Sequence, residues 1–289
     1  MPFTFSHPAA VLPLLRDGRG RGRLVASALV AGSLAPDVPF FADSLLRGSY
    51  GYGALTHRVW AVPTVDVALA AALVAGWQAV LREPLVELLP ARWADAADAA
   101  TAPSGRPLDV PGAAWFALSA AIGAATHVGW DAFTHGGRIG VRLLPVLDRT
   151  VHGQPVYSLL QYGFSAAGLA ALAWHLPRTL RRTAAPRPVA EPVADTAPTA
   201  PPTPLTTAAP ASVSARPRLS ARARTAVAVL VAGATLAGAA QRIALGDAGS
   251  LRSARLGDLI PPLSFGGGTG AALGLALSTL ATRRAKPPR

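Results

Sequence analysis

The chain has 289 residues, of which 51% are apolar and only 15% charged, and its net charge is +12. Soluble domains average about 25% charged residues, so the composition argues against a water-soluble globule and for helices packed in lipid. It has no cysteine, which excludes disulfides, thiolate nucleophiles and cysteine-ligated metals.

The basic residues concentrate at 16–23, 178–187, 216–224 and 283–289, just outside apolar stretches. Charge placed there sets membrane topology and attracts anionic headgroups. No aromatic-rich basic surface accompanies it, so nucleic acid is not expected as a partner. Near the N-terminus the apolar part (Ala9 to Leu15) precedes the basic part (Arg16 to Arg23), the reverse of a cleavable signal.

In chain order, residues 6–16 and 23–36 read as two short helices around a Gly-rich turn, RDGRGRGR. Neither reaches the roughly 20 residues needed to span a bilayer. As a hairpin they bring Ser6-His7 and Pro36-Asp37 to one end. Residues 59–81 are apolar and long enough to span, with Asp66 inside. Residues 83–111 read as a loop with one amphipathic helix. Residues 113–134 are apolar again and contain His127 and Asp131. A polar loop covers 136–155. Another span covers 157–177, with Tyr157 and Trp174 placed like interfacial aromatics. Residues 183–217 are Pro/Ala/Thr-rich without periodicity and read as a disordered linker. Residues 225–246 and 259–282 read as a final helical hairpin. Its GGGTG run (Gly266 to Gly270) lacks the Lys-Ser/Thr of a phosphate loop and reads as close helix packing or a kink.

These stretches predict an all-α polytopic membrane protein of about four full transmembrane helices plus a short N-terminal helical hairpin. They divide into a core (1–178), a linker (179–224) and a C-terminal hairpin (225–289). The arginine bias places the 178–224 segment and the C-terminal tail on the cytoplasmic side of a cell membrane, and the 136–155 loop and the His57 region outside.

Polar residues inside these apolar stretches are costly and therefore informative. Three histidines follow threonine, and two of those pairs share a longer form, THRVW (56–60) and THVGW (126–130). In THVGWDAFTH, a helix puts His127, Asp131 and His135 at i, i+4 and i+8 on one stripe. His127 and His135 are then about 12 Å apart along the axis, too far to share an ion directly. With His7, Asp37 and His57 the stripe forms a His/Asp set that suits a divalent ion, Zn²⁺ above Mn²⁺ or Fe²⁺. The expected ligands are His7, Asp37, His57, His127 and Asp131. Asp66 is expected to orient a ligand histidine, and His135 to shuttle a proton or to ligate. Any one of these histidines alone is an ordinary hydrogen-bonded residue. His152 and His175 read as loop and interfacial residues.

The segments MPFTFSHPAAVLPLLR, LVASALVAGSLAPDVPFF, LTHRVW, ATHVGWDAFTHGG and PVYSLLQYGFSAAGLA resemble, over residues 1–178, a bacterial membrane family known as domain of unknown function 4184. That resemblance implies a multi-pass protein without an established activity. A weaker similarity reaches inner-membrane metal-dependent hydrolases and zinc-dependent phospholipase C-like proteins. It implies that His7, Asp37 in Gly32-Ser33-Leu34-Ala35-Pro36-Asp37, His57, His127 and Asp131 are metal ligands. The chain departs from that pattern in reading THR where the hydrolases have a THS-like form, and in lacking a further acidic residue for a full two-metal site. The function expected is metal-dependent hydrolysis of a lipid-like or phosphoester substrate. The alternative is a non-enzymatic scaffold or small transporter with a buried polar network. Membrane lipids are the expected partners in both cases.

Overall fold

Prolines decide the first element. In an α-helix the rings of Pro8 and Pro13 would clash with the carbonyls four residues back, and residues Thr4–Leu14 wind as a 3-10 helix instead of the expected α-helix. The computed structural model describes residues 3–103, 109–184, 219–245 and 256–285. The basic turn that follows is a two-residue β-hairpin. Strand β1 (Leu15–Arg16) pairs antiparallel with β2 (Arg19–Gly20). Asp17 and Gly18 between them have φ of 50° and 78°, the positive values such a turn requires. The chain then returns as α1 (Ala26–Leu34), a 3-10 turn (Ala35–Asp37) and α2 (Val38–Ala42). Pro36 ends α1 because it cannot continue the hydrogen-bond ladder.

Helix α3 (Gly53–Thr56) precedes α4 (Val65–Gly76), which passes through a π turn (Trp77–Leu81) into α5 (Arg82–Leu88). This span was expected at 59–81. It begins later, because residues 58–64 form turns ahead of it, and runs further. Helix α6 (Ala91–Thr101) is the amphipathic helix expected in the 83–111 loop. Helix α7 (Val110–Thr134) is capped by Asp109, whose side chain accepts from the Gly112 amide. Helix α8 (Ile139–Leu143) and a second β-hairpin, β3 (Thr150–Val151) with β4 (Gln154–Pro155), fill the polar loop before α9 (Val156–Ala184). His152 and Gly153 form the tip of that hairpin.

The C-terminal hairpin comprises α10 (Ala221–Ala244), α11 (Leu256–Pro261) and α12 (Gly267–Ala285). A π turn at Pro262–Gly266 joins the last two, where the prolines interrupt regular bonding. Most of the expected linker, residues 185–218, lies outside the described residues. Its ends are helical, 179–184 closing α9 and 221–224 opening α10.

Among the described residues, four helices are long and apolar enough to cross a membrane: Val65–Leu88, Val156–Ala184, Ala221–Ala244 and Leu259–Ala281. The protein is an all-α polytopic membrane protein. Helix α7 is the central member. It packs against α1, α4, α9 and the opening 3-10 helix.

Small residues set the central contact. A Cβ on Gly32 would lie 2.1 Å from the Ala120 carbonyl oxygen, and one on Gly123 would lie 2.2 Å from that of Leu29. The backbones of α1 and α7 thus touch, with Ala28, Ala31, Ala35, Ala70 and Ala120 completing the core. The two helices run in the same direction. The Val25 amide donates to Ser119 at one end, and the Ser33 carbonyl meets His127 eight residues further along each helix. The glycines of the last hairpin act similarly, with Gly238 against Gly266 and Gly270 against Ala234.

Candidate metal centre

The prolines and the glycine contact together build the site. The opening helix carries His7, the turn after α1 carries Asp37, the end of α3 carries His57, and the last two turns of α7 carry His127 and Asp131. All five are buried, His7 being 4% exposed and His127 and Asp37 fully enclosed. The five expected ligands, drawn from four separate segments, form one cluster.

Backbone carbonyls orient two of the histidines. His127 Nδ1 lies 2.8 Å from the Ser33 oxygen, and His57 Nδ1 lies 2.8 Å from the Gly53 oxygen. A carbonyl only accepts, so each Nδ1 carries the proton and each Nε2 turns its lone pair toward the centre. His57 is further fixed by its neighbour, since the Thr56 hydroxyl donates to the Pro36 carbonyl at 2.7 Å. The Thr4 hydroxyl donates to Asp37 Oδ2 and turns Oδ1 inward. The rings of His7 and His127 stack with centroids 3.6 Å apart.

Several of the facing atoms stand at the separations that metal ligands adopt. His57 Nε2 lies 3.2 Å from Asp131 Oδ2 and 3.7 Å from Asp37 Oδ1. His127 Nε2 lies 3.5 Å from Asp37 Oδ1 and 3.6 Å from Asp131 Oδ2. His7 Nε2 lies 3.6 Å from Asp131 Oδ1. Four ligand atoms about 2.1 Å from a tetrahedral zinc are about 3.4 Å from one another. Hydrogen bonds do not account for four of the facing atoms: His7 Nε2, Asp37 Oδ1, His127 Nε2 and Asp131 Oδ1 are buried and have no such partner. Buried polar atoms left so are uncommon in native proteins. Among the described residues, two overlapping groups could hold an ion, His7–His127–Asp131 and Asp37–His57–His127. They share His127, whose Nε2 has one lone pair and can serve one ion only.

The two residues expected in supporting roles are placed differently. His135 is not the third member of a helical stripe, because α7 ends at Thr134 and His135 is extended (φ −129°, ψ 131°). Its Nδ1 turns back to the Asp131 carbonyl at 3.2 Å and sits 3.5 Å from Asp131 Oδ1, while its Nε2 has no hydrogen-bond partner. Burial pushes the imidazole down to about 4, against the pull of the Asp131 carboxylate. His135 is therefore neutral near pH 7. Asp66 orients no histidine by hydrogen bonding, because the Ser33 and Gly53 carbonyls hold those Nδ1 positions. It is fully enclosed in the first turn of α4 with both oxygens unpartnered, within electrostatic reach of His57 and His127.

Sequence reasoning missed two supports. Thr4 is one 3-10 turn before His7, and that period of three signals a shared face. Arg242 is a lone charge near the end of an apolar stretch, a signal that was present but not followed. It is 2% exposed, and its Nη1 donates to Asp43 Oδ2 at 2.8 Å. Gln241 donates to the Ser44 carbonyl and Thr269 to that of Phe41. The C-terminal hairpin is thereby fastened to the segment that carries Asp37.

No curated protein and no solved structure matches the chain. Residues 1–278, nearly its whole length and beyond the 1–178 expected from the motifs, match one family. The chain belongs to the family described as Domain of unknown function (DUF4184), and the His/Asp cluster lies within the matched region.

Proposed function

We propose that the protein is a cell-membrane metal-dependent hydrolase acting on an ester or phosphoester of a lipid-like molecule. The observation that carries this reading is the convergence of five buried His and Asp side chains inside an apolar bundle, with His7 Nε2, Asp37 Oδ1, His127 Nε2 and Asp131 Oδ1 lacking hydrogen-bond partners. Asp37, His57 and His127 would hold the ion, with Asp131 beside His57 and His7 beside Asp131, and nitrogen and oxygen donors of this kind suit zinc. A bound zinc acidifies water and polarises an ester or phosphoryl oxygen. The neutral His135 imidazole, its Nε2 unengaged, would take up a proton next to Asp131. Asp66 would add negative charge behind His57 and His127.

The lipid-like substrate class has its own support. An apolar groove of about 300 Å³ is lined by Phe3, Tyr162, Ser165, Ile260, Leu263 and Ser264. It lies between α9 and the C-terminal hairpin, both of them lipid-facing spans. Phe3 is held there by the Ser165 hydroxyl and adjoins Thr4, the partner of Asp37. An acyl chain from the bilayer fits this groove in chemistry and place.

Elemental analysis of detergent-purified wild type beside His127→Ala tests the reading. Stoichiometric zinc in the wild type, lost in the variant, together with metal-dependent hydrolysis of a lipid phosphoester, supports it. Absence of any bound divalent metal sinks it. The second reading, a non-enzymatic scaffold or transporter, draws on Asp66, an enclosed carboxylate on a spanning helix of the kind that lines ion paths. It expects His127→Ala to damage folding or transport without abolishing any hydrolytic turnover.

A further inference from the structure

The fold sorts its arginines and its His/Asp cluster to opposite ends. At one end the β1–β2 turn presents Arg16, Arg19, Arg21 and Arg23, all exposed. Gly18 in that turn packs beside Thr179 of α9 and Ala100 of α6, and Arg182 reaches Asp17 at 3.1 Å. The end of α9 brings exposed Arg178, Arg181 and Arg182 to the same place. Three tryptophans rim this end, so the aromatic partners that the sequence did not suggest beside the basic clusters are supplied by the fold. Arg178 stacks over Trp174 at 3.2 Å, Arg181 and Arg92 flank Trp93, and Arg23 lies over Trp115. Arginine interleaved with tryptophan is the chemistry of a headgroup layer, where the ring sits at the boundary and the guanidinium meets lipid phosphate.

Every long helix agrees on this polarity. Helix α7 starts near Trp115 and ends at the cluster. Helix α9 starts by the polar loop and ends at its arginines. Helix α10 starts with Arg222 and Arg224 and ends with Arg242 on Asp43. Helix α12 starts against Phe41 and runs back the other way, Thr279 meeting the Val80 carbonyl. From Trp115 to His127 and Asp131 is 12 and 16 residues of helix, or about 18 and 24 Å. The hydrocarbon layer is about 30 Å thick. The cluster thus lies in the half of the layer opposite the Arg/Trp end, about 3 to 9 Å beyond its middle. The cluster end also carries arginines (Arg47, Arg58, Arg138, Arg142 and Arg149), but among the described residues the exposed arginines favour the other end by roughly two to one.

We infer that the Arg/Trp end is seated in the anionic headgroups of the cytoplasmic leaflet and that the His/Asp cluster opens to the opposite, extracytoplasmic side. This deepens the hydrolase reading, on which its consequence for substrate rests: the lipid-like ester comes from the outer leaflet. The placement itself stands without the metal.

The chain has no native cysteine, so single cysteines report sidedness cleanly. Val151→Cys and Tyr52→Cys mark the cluster end, and Arg19→Cys and Arg92→Cys the other. The probe is a membrane-impermeant maleimide applied to intact cells expressing the full chain, with permeabilised cells as the reactive control. Labelling of the first pair in intact cells, and loss of labelling of the second pair until permeabilisation, is the expected result. The reverse pattern, both pairs labelled, or both protected overturns the inference. Zinc content measured on the same purified variants reads the metal proposal separately, so either can fail without the other.

Discussion

Arg242 Nη1 donates to Asp43 Oδ2 at 2.8 Å across 199 residues of sequence, and both side chains are withdrawn from solvent. The pair joins the last helical hairpin to the segment six residues beyond Asp37. Removing one partner of a buried pair leaves a charge with no compensation, which costs about 3–5 kcal/mol. Arg242→Ala is expected to lower the thermal midpoint in detergent and to loosen 219–285 toward proteolysis. Arg242→Lys is expected to fall between, because an ammonium replaces the guanidinium's fixed fork.

Asp43 gives this contact a pH dependence. Burial works against its ionisation, but the Tyr50 and Gly48 amides and then Arg242 outweigh that and hold the carboxyl below its ordinary value. A depressed carboxylate stabilises the fold above its unfolded pKa, about 3.9, and that contribution is lost as pH falls through the depressed value. Protection of the hairpin is expected to be flat near neutral pH and to weaken only below about pH 4. Arg242→Ala is expected to shrink the acid-sensitive part. Denaturation midpoints across pH 3–7 check both.

Asp131 touches four histidines, His57 at 3.2 Å, His135 at 3.5 Å, and His7 and His127 at 3.6 Å. Asp131→Asn keeps the shape and removes the charge. Zinc stoichiometry is expected to fall to background with the helical circular dichroism retained, whereas Asp98→Asn, in the distant Arg82–Asp98 pair, is expected to keep full metal content. Chelation of the wild type is expected to lower its thermal midpoint, because an ion bound only by the folded state stabilises it.

Thr4→Val removes the donor that turns Asp37 inward and leaves a buried oxygen unsatisfied. Partners behind metal ligands are worth 10–100-fold in affinity. Metal competition titrations are expected to show a weakening of about that size, with full stoichiometry still reached at saturation.

Gly123→Val tests the helix contact beneath the ligands. The new side chain meets the Leu29 carbonyl at its first carbon. Parting α1 from α7 carries the Ser33 carbonyl away from His127, so metal is expected to be lost although no ligand has changed. Overpacking of this kind costs about 1–3 kcal/mol or more. A variant that keeps its zinc at wild-type affinity contradicts this.

Leu263→Trp fills the groove beside Phe3. On the acyl-chain reading, KM for a long-chain phosphoester rises while turnover of a short-chain analogue is unchanged. Equal effects on both substrates count against the groove.

The fold was legible where composition speaks over long stretches. The apolar runs at 157–177 and 225–246 became α9 and α10 because unbroken helix is the structure that satisfies backbone groups in lipid. The RDGRGRGR turn became a hairpin because Asp17 and Gly18 accept positive φ. Legibility failed where local chemistry overrides periodicity. Pro8 and Pro13 turned an expected α-helix into a 3-10 helix, and α7 stopped one residue short of placing His135 on the stripe. At the centre, the residue types of the five clustered side chains were readable because charge inside apolar helices is rare. What held them was not readable. The orienting groups of His127 and His57 are the backbone carbonyls of Ser33 and Gly53, which have no letter in a sequence.

All five clustered side chains fall within the first 131 residues, and Arg242 arrives more than a hundred residues later. During synthesis the centre can therefore assemble before its fastener exists. The opening 3-10 helix can already be packed against α7 when α10 emerges, so that the closing hairpin lands on a formed surface. A chain halted before residue 219 is accordingly the form in which the centre would be loaded most easily and kept least securely.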